Sequence, residues 1–218
     1  DNHVGQLLDL LSELKVDDNT LVLFTSDNGP AMYNWPDGGT TPFAGEKGLG
    51  MEGGFRVPML VRWPGKVPAG VSTGEFMTME DWLPTIMSLL GQPNIAEQFR
   101  AGTSIGSRTY KVHLDGVDQT DLLTKNGKTK RKEFFYFTEN KLHAVRIGDY
   151  KFRFVEQERW AGTRENLVTP NIVNLKIDPF ERKINSRGYP QWQWDRTYLF
   201  LPVADALRRF AESFKEFP

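Results

Sequence analysis

The 218-residue chain balances 27 Lys and Arg against 28 Asp and Glu, a formal net charge of −1, with 39% hydrophobic and 25% charged residues. This is ordinary globular composition with room for one large domain or two small ones; it gives no global attraction to nucleic acid or an anionic membrane, and no apolar run approaches the ~20 residues of a spanning helix. Zero cysteines exclude disulfides, thiolate metal sites and a cysteine nucleophile within these residues.

Val4, Leu7, Leu8, Leu11 and Leu14 recur at helical spacing, with Leu10 widening the stripe, so an amphipathic helix opens the chain. Asp17 to Thr20 then turns into the apolar run Leu21-Val22-Leu23-Phe24-Thr25, a strand of the kind a parallel sheet buries on both faces. The run stops at Ser26-Asp27-Asn28-Gly29-Pro30, where the carboxyl end of an α/β strand is expected to carry a ligand site. Asp27 and Asn28 offer an anionic and an amide oxygen, which suit a hard cation such as calcium or magnesium; the same residues also make a common turn, and both readings stand. The aperiodic loop Ala31 to Phe43 places Tyr33, Trp35 and Asp37 either in a substrate-pocket wall or packed within the loop. Next comes Gly45-Glu46-Lys47-Gly48-Leu49-Gly50-Met51-Glu52-Gly53-Gly54, five glycines around one lysine able to reach an anion, and then a strand from Met59 to Arg62. Glu52 and Arg56 read as a salt bridge or a turn support.

Taken together, Thr25-Ser26-Asp27-Asn28-Gly29, the Gly-x-Lys at Lys47, Glu52-Gly53-Gly54, Arg56-Val57-Pro58 and Arg62-Trp63-Pro64-Gly65 resemble sulfatases of the arylsulfatase type, in the alkaline-phosphatase-like superfamily. The resemblance implies an α/β fold: residues 1–95 as the latter part of the sulfatase sheet domain, and residues 96–218 as a small α+β C-terminal subdomain with an antiparallel sheet and a packing helix. It implies hydrolysis of a sulfate ester, either a small molecule or a sulfated carbohydrate, with Asp27 and Asn28 as metal ligands, usually to calcium with magnesium possible. Lys47 is implied as the catalytic contact to the sulfate group. Sulfatases make a formylglycine nucleophile from a Cys/Ser-x-Pro-x-Arg motif, which these residues lack. The nucleophile and first metal ligands are therefore expected in a missing N-terminal part of the same fold, and the 218 residues alone are expected to be inactive. A periplasmic or secreted location is what the family suggests. Two alternatives stay open: a phosphonate or phosphate-ester hydrolase of the same superfamily, and a non-catalytic carbohydrate- or protein-binding module on this scaffold.

Further along, Leu83, Ile86, Met87 and Leu90 predict a helix with a core-packing face, with Asp81 as its cap or first-turn charge and Gly91 at its end. His113 to Asp118 reads as a structural segment, and the basic run Lys125 to Lys132 as a solvated loop. Glu133 to Thr138, Leu142 to Ile147 and Tyr150 to Val155 are strands joined by short turns; the third alternates apolar with charged, which predicts one buried and one wet face. Trp192 and Trp194 stand at strand spacing. Asn174 to Glu181 runs from a strand edge into an Asp-Pro turn, and Tyr198 to Phe217 closes the chain as an amphipathic helix carrying Leu199, Val203, Leu207, Phe210 and Phe214 on one face.

Overall fold

The computed structural model describes residues 1–217. Its helices are α1 (Asn2–Glu13), α2 (Glu52–Phe55), α3 (Trp82–Leu89), α4 (Ile95–Ala101), α5 (Thr120–Lys125), α6 (Tyr189–Trp194) and α7 (Phe200–Glu216). Its strands are β1 (Val22–Thr25), β2 (Met59–Arg62), β3 (Thr103–Ile105), β4 (Arg108–Tyr110), β5 (Glu133–Thr138), β6 (Lys141–Ile147), β7 (Tyr150–Glu156) and β8 (Glu165–Asn174). They fall into two compact units. One holds residues 1–24, 59–131 and 215–217; the other holds residues 25–58 and 132–214.

In the second unit, β5-β6-β7-β8 form an antiparallel sheet in sequence order. Period-2 alternation puts Val145, Phe152 and Ile172 on one face, Val145 opposite Phe152 and Phe152 opposite Ile172. On that face they form a buried cluster with Val203 of α7, and Phe210 stacks on Phe135 at 4.1 Å between ring centroids. The helix-on-antiparallel-sheet arrangement is the one the sequence predicts. The other face of β7 departs from prediction: Lys151 and Arg153 are 0% and 2% exposed rather than wet. Glu52 and Glu181 lie against them, so the charges are buried as pairs. Trp192 and Trp194 lie on a helix, α6, not a strand; Pro190 in its first turn suits helix initiation, and Trp192 packs on the core while Trp194 is exposed.

In the first unit, α1 forms as its spacing requires but buries no residue, and Leu7 and Leu14 stay exposed. β1 pairs with β2 in a two-stranded sheet. The expectation of a strand buried on both faces is not met, because two strands alone cover neither face: Phe24 is 56% and Leu60 67% exposed. Helix α3 also turns the other way round. Its buried residues are Trp82, Pro84 and Thr85, while Leu83, Ile86 and Leu90 face out.

The reason for that orientation is a polar network around Asp81, which is fully buried. Its carboxylate accepts hydrogen bonds from the backbone N–H of Thr78 and Val117 and from the Arg131 guanidinium, at 2.5 to 3.1 Å. Thr85 Oγ1 donates to the Asp81 carbonyl and accepts from the N–H of Gln119. Asp81 stands at the N-cap position of α3, yet its side chain makes no capping bond to that helix and instead closes the preceding turn through the Thr78 N–H, and the segment through Asp115 and Asp118 is structural. Arg131, by contrast, is drawn out of the predicted solvated run into a buried ion pair. Among the described residues, no helix is long and apolar enough to cross a membrane.

Candidate active site

The Asp27-Asn28-Gly29 turn and the glycine-rich segment meet through their backbones. Gly29 N–H donates to the Gly54 carbonyl at 2.9 Å, and Lys47 N–H donates to the Pro30 carbonyl at 3.0 Å. The approach is so close that a Cβ on Gly29 would stand 1.7 Å from the Gly53 oxygen, which only glycine permits. Thr25 Oγ1 donates to the Pro58 carbonyl and ties the start of the turn to the end of the glycine-rich segment. Lys47 therefore leaves the chain next to the residues that follow Asn28.

Several side chains there are left with unused capacity. The Asp27 carboxylate is exposed and has no hydrogen bond or ion pair among the described residues, while Asn28 donates its Nδ2 to the Gly29 carbonyl at 2.8 Å and keeps its Oδ1 free. Adjacent carboxylate and amide oxygens suit a hard divalent cation, although two residues supply only part of a six- to eight-oxygen calcium shell. Among the described residues no cluster of three or more His, Asp or Glu is disposed to hold a metal. Lys47 forms no ion pair among the described residues; its Nζ stands 5.9 Å from the centroid of the Trp160 ring.

Beside the turn lies a cleft of about 700 Å³ whose lining includes Ser26, Asn28, Thr41, Phe43 and Arg56. Arg56 stacks over the Phe43 ring at 4.4 Å, and Phe43 in turn stacks on Phe180. Of the predicted loop residues, Tyr33 packs its ring against Trp160 at 5.0 Å. Trp35 and Asp37 lie on the exposed part of the loop, and neither lines this cleft.

Behind the glycine-rich segment sits a buried charge cluster. Lys151 Nζ lies 3.1 Å from Glu52 Oε1 and 3.3 Å from Glu181 Oε1, and above the Tyr136 ring at 4.0 Å. Tyr136 hydroxyl donates to Glu52 Oε1, and the Glu52 N–H, at the start of α2, donates to Glu181 Oε2 at 2.6 Å. Burial alone would push the Glu52 carboxyl up, but Lys151 and the Tyr136 hydroxyl outweigh it and hold it below its usual value of 4.5. Burial, with Glu52 adding to it, pushes the Tyr136 phenol well above 10.0. The segment that carries Lys47 is thus bolted to the sheet by the Lys151–Glu52 ion pair, 99 positions apart in sequence. Of the charges in this cluster, sequence reasoning singled out only Glu52; Lys151 was visible only as a charge alternating along a strand and Glu181 only as the end of an Asp-Pro turn, while Trp160, beside Lys47, carried no periodic or motif signal.

A family model described as Sulfatase matches residues 1–92. Arylsulfatase A from Homo sapiens is 35% identical over 163 residues, covering 72% of this chain and 29% of its own length. N-acetylgalactosamine-6-sulfatase from Canis lupus familiaris is 33% identical over 156 residues, covering 71% of this chain and 27% of its own length. Among solved structures, the PsFucS1 sulfatase from Pseudoalteromonas sp. superposes with a TM-score of 0.75 at 30% identity, covering 98% of this chain and 41% of that one. The chain belongs to the sulfatase family. It spans less than a third of the two curated relatives and less than half of the solved one. Within this sulfatase chain, Asp27, Asn28, Tyr33, Trp35, Asp37 and Lys47 all fall inside the segment that the family model matches, whereas Trp160 and the charges on β7 fall outside it.

Proposed function

We propose that this chain is part of a sulfuric ester hydrolase of the arylsulfatase type, with a sulfate ester of a small molecule or of a carbohydrate as substrate. The observation that supports the reading is the backbone bond from Lys47 to Pro30, which roots a lysine with no acidic partner among the described residues close in the fold to the turn that carries the Asp27 and Asn28 oxygens. Asp27 and Asn28 would hold a divalent cation, calcium or magnesium. Such an ion supplies Lewis-acid stabilisation of negative charge on sulfuryl oxygens when bound. Lys47 offsets the charge that grows on those oxygens as the S–O bond breaks, where a preorganised donor counts most. A relative named for an N-acetylgalactosamine sulfate supports including sulfated sugars among the substrates.

The nucleophile is a different matter. With no cysteine and no Ser-x-Pro-x-Arg, nothing in these residues fits a formylglycine precursor. We place the nucleophile and the remaining ligands in an N-terminal part of the same fold, and propose that the 218 residues by themselves do not turn over. The exposed apolar side chains Leu7, Phe24, Leu60 and Leu90 support a further layer packing on the first unit. The test is calcium titration and 4-nitrophenyl sulfate hydrolysis with the complete protein, run beside 4-nitrophenyl phosphate. Asp27→Ala is expected to weaken calcium binding and to cut sulfate turnover together; calcium affinity and turnover equal to wild type would overturn the assignment, and preference for the phosphate ester would move the chain to phosphoryl transfer.

A further inference from the structure

We propose that Trp160, seconded by Tyr33, is the platform on which the sugar ring of a sulfated carbohydrate stacks while Lys47 holds its sulfate. The inference rests on the sulfatase reading above and names the residue that selects its substrate class.

Trp160 is 38% exposed yet held in place from three sides. Its N–H donates to Glu46 Oε1 at 3.3 Å, its carbonyl accepts from Gln157 Nε2 at 2.6 Å, and its indole edge lies so close to Gly48 that a Cβ there would be 2.7 Å from Cδ1. Glu46 and Gln157 are themselves 7% and 4% exposed, so these anchors are buried. The other oxygen of the same Glu46 carboxylate accepts from the Tyr33 N–H at 3.2 Å. One carboxylate thus ties down the backbones of both aromatic residues, whose rings meet at 5.0 Å and 52°. Glu46 directly precedes Lys47, so the clamp that fixes the rings also fixes the root of the cation.

Holding the turn does not require an open indole. Gln157 already bonds the carbonyls of Arg159, Trp160 and Gly162 through its side-chain nitrogen. Two aromatic residues, 38% and 55% exposed, are fixed beside a cation that lies over the Trp160 ring at 5.9 Å and has no acidic partner among the described residues. The arrangement fits a ligand with an anionic group one ester bond away from a ring that has an apolar C–H face and a hydroxyl rim. A sugar sulfate has this chemistry: the C–H face lies on the indole, the hydroxyls keep their water, and the sulfate reaches Nζ. An aryl ring would instead favour an enclosed apolar slot, which this open platform does not provide.

The test is isothermal titration calorimetry on the complete protein with monosulfated galactose, glucosamine and fucose, each beside its sulfate-free parent, and with sodium sulfate. At least one sulfated sugar is expected to bind about tenfold or more tighter than sodium sulfate. Trp160→Ala should remove about tenfold of that affinity, with a far smaller effect on sodium sulfate, and Trp160→Phe should keep most of it. If Trp160→Ala does not fold, Tyr33→Ala reads the same contact, and a loss of severalfold is expected. The proposal is overturned if no sulfated sugar binds better than sodium sulfate, or if the alanine variants leave sugar binding intact or weaken sugar and sodium sulfate equally. Turnover is followed separately as sulfate released from the sulfated sugar that binds, so that sugar binding without any sulfate release defeats the sulfatase reading and leaves the platform standing.

Discussion

Replacing Lys151 by methionine isolates the charge that the glycine-rich segment and the sheet share. Methionine keeps most of the aliphatic stem over the Tyr136 ring, so little packing volume is lost. What disappears is the ammonium 3.1 Å from Glu52 and 3.3 Å from Glu181, both carboxylates being almost wholly buried. Removing one member of a buried ion pair costs about 3–5 kcal/mol, because the partner is left uncompensated. For a chain of this size each kcal/mol is about 2–4 °C in Tm, so a fall of about 6–20 °C is expected at pH 7. The pH dependence has a definite sign. In the native protein the Glu52 carboxyl is held below 4.5, so the stability it contributes is complete above that value and is lost as pH falls through the lower folded value. In Lys151→Met, burial without the ammonium to offset it pushes the Glu52 carboxyl up, so acid relieves the variant while it weakens the parent, and the gap narrows toward pH 4. Circular dichroism melts of both proteins at pH 7 and pH 4 measure this, and Lys151→Met with Glu52→Gln should recover part of the loss. A fall of less than about 2 °C at pH 7, or a gap that widens in acid, refutes the reasoning.

Asp81→Ala should be as damaging in the first unit: it strips Arg131 and two backbone N–H groups of a buried acceptor, for an expected loss of about 3–5 kcal/mol by urea denaturation. Although burial by itself raises the Asp81 carboxyl, the Arg131 hydrogen bonds outweigh it and hold it below 3.8, so this contribution is full above that value and fades as pH falls further. Gly29→Ala drives a methyl group into the Gly53 carbonyl and should cost about 1–3 kcal/mol or more, whereas Gly5→Ala, in α1 with open space around it, should gain about 0.5–1 kcal/mol. Thermal melts of the pair compare the two, and equal shifts would contradict the packing described for the turn.

Much of the fold was legible because it is local. The hairpin strands β5 to β7 and the stripe on α7 follow from period-2 and period-3.6 patterns, and Asp27, Asn28 and Lys47 stood out through the order and spacing of short motifs. What failed was long-range. Alternation along β7 shows that Lys151 and Arg153 share a face, but not that Glu52 and Glu181, far away in sequence, will cover it. The apolar spacing of α3 was read as a core face, yet the network joining Asp81 to Arg131, fifty residues away, turns Trp82 and Thr85 inward instead. Trp192 and Trp194 are two apart, which is strand spacing, but a proline in the first turn and the packing of Trp192 on the core favour a helix. Trp160 sits in an aperiodic turn, and its relation to Lys47 exists only once Glu46 has tied the Tyr33 and Trp160 backbones together.

In the proposed function the Lys47 ammonium acts on the sulfate ester while the adjacent oxygens of Asp27 and Asn28 hold the cation. Lys47→Ala in the complete protein, assayed with 4-nitrophenyl sulfate and titrated with calcium, tests it most directly. A fall in kcat of about 10²–10³ is expected, the size of losing one preorganised transition-state donor, with calcium affinity within about threefold of wild type. Unaltered turnover, or calcium affinity that collapses along with it, would contradict the account.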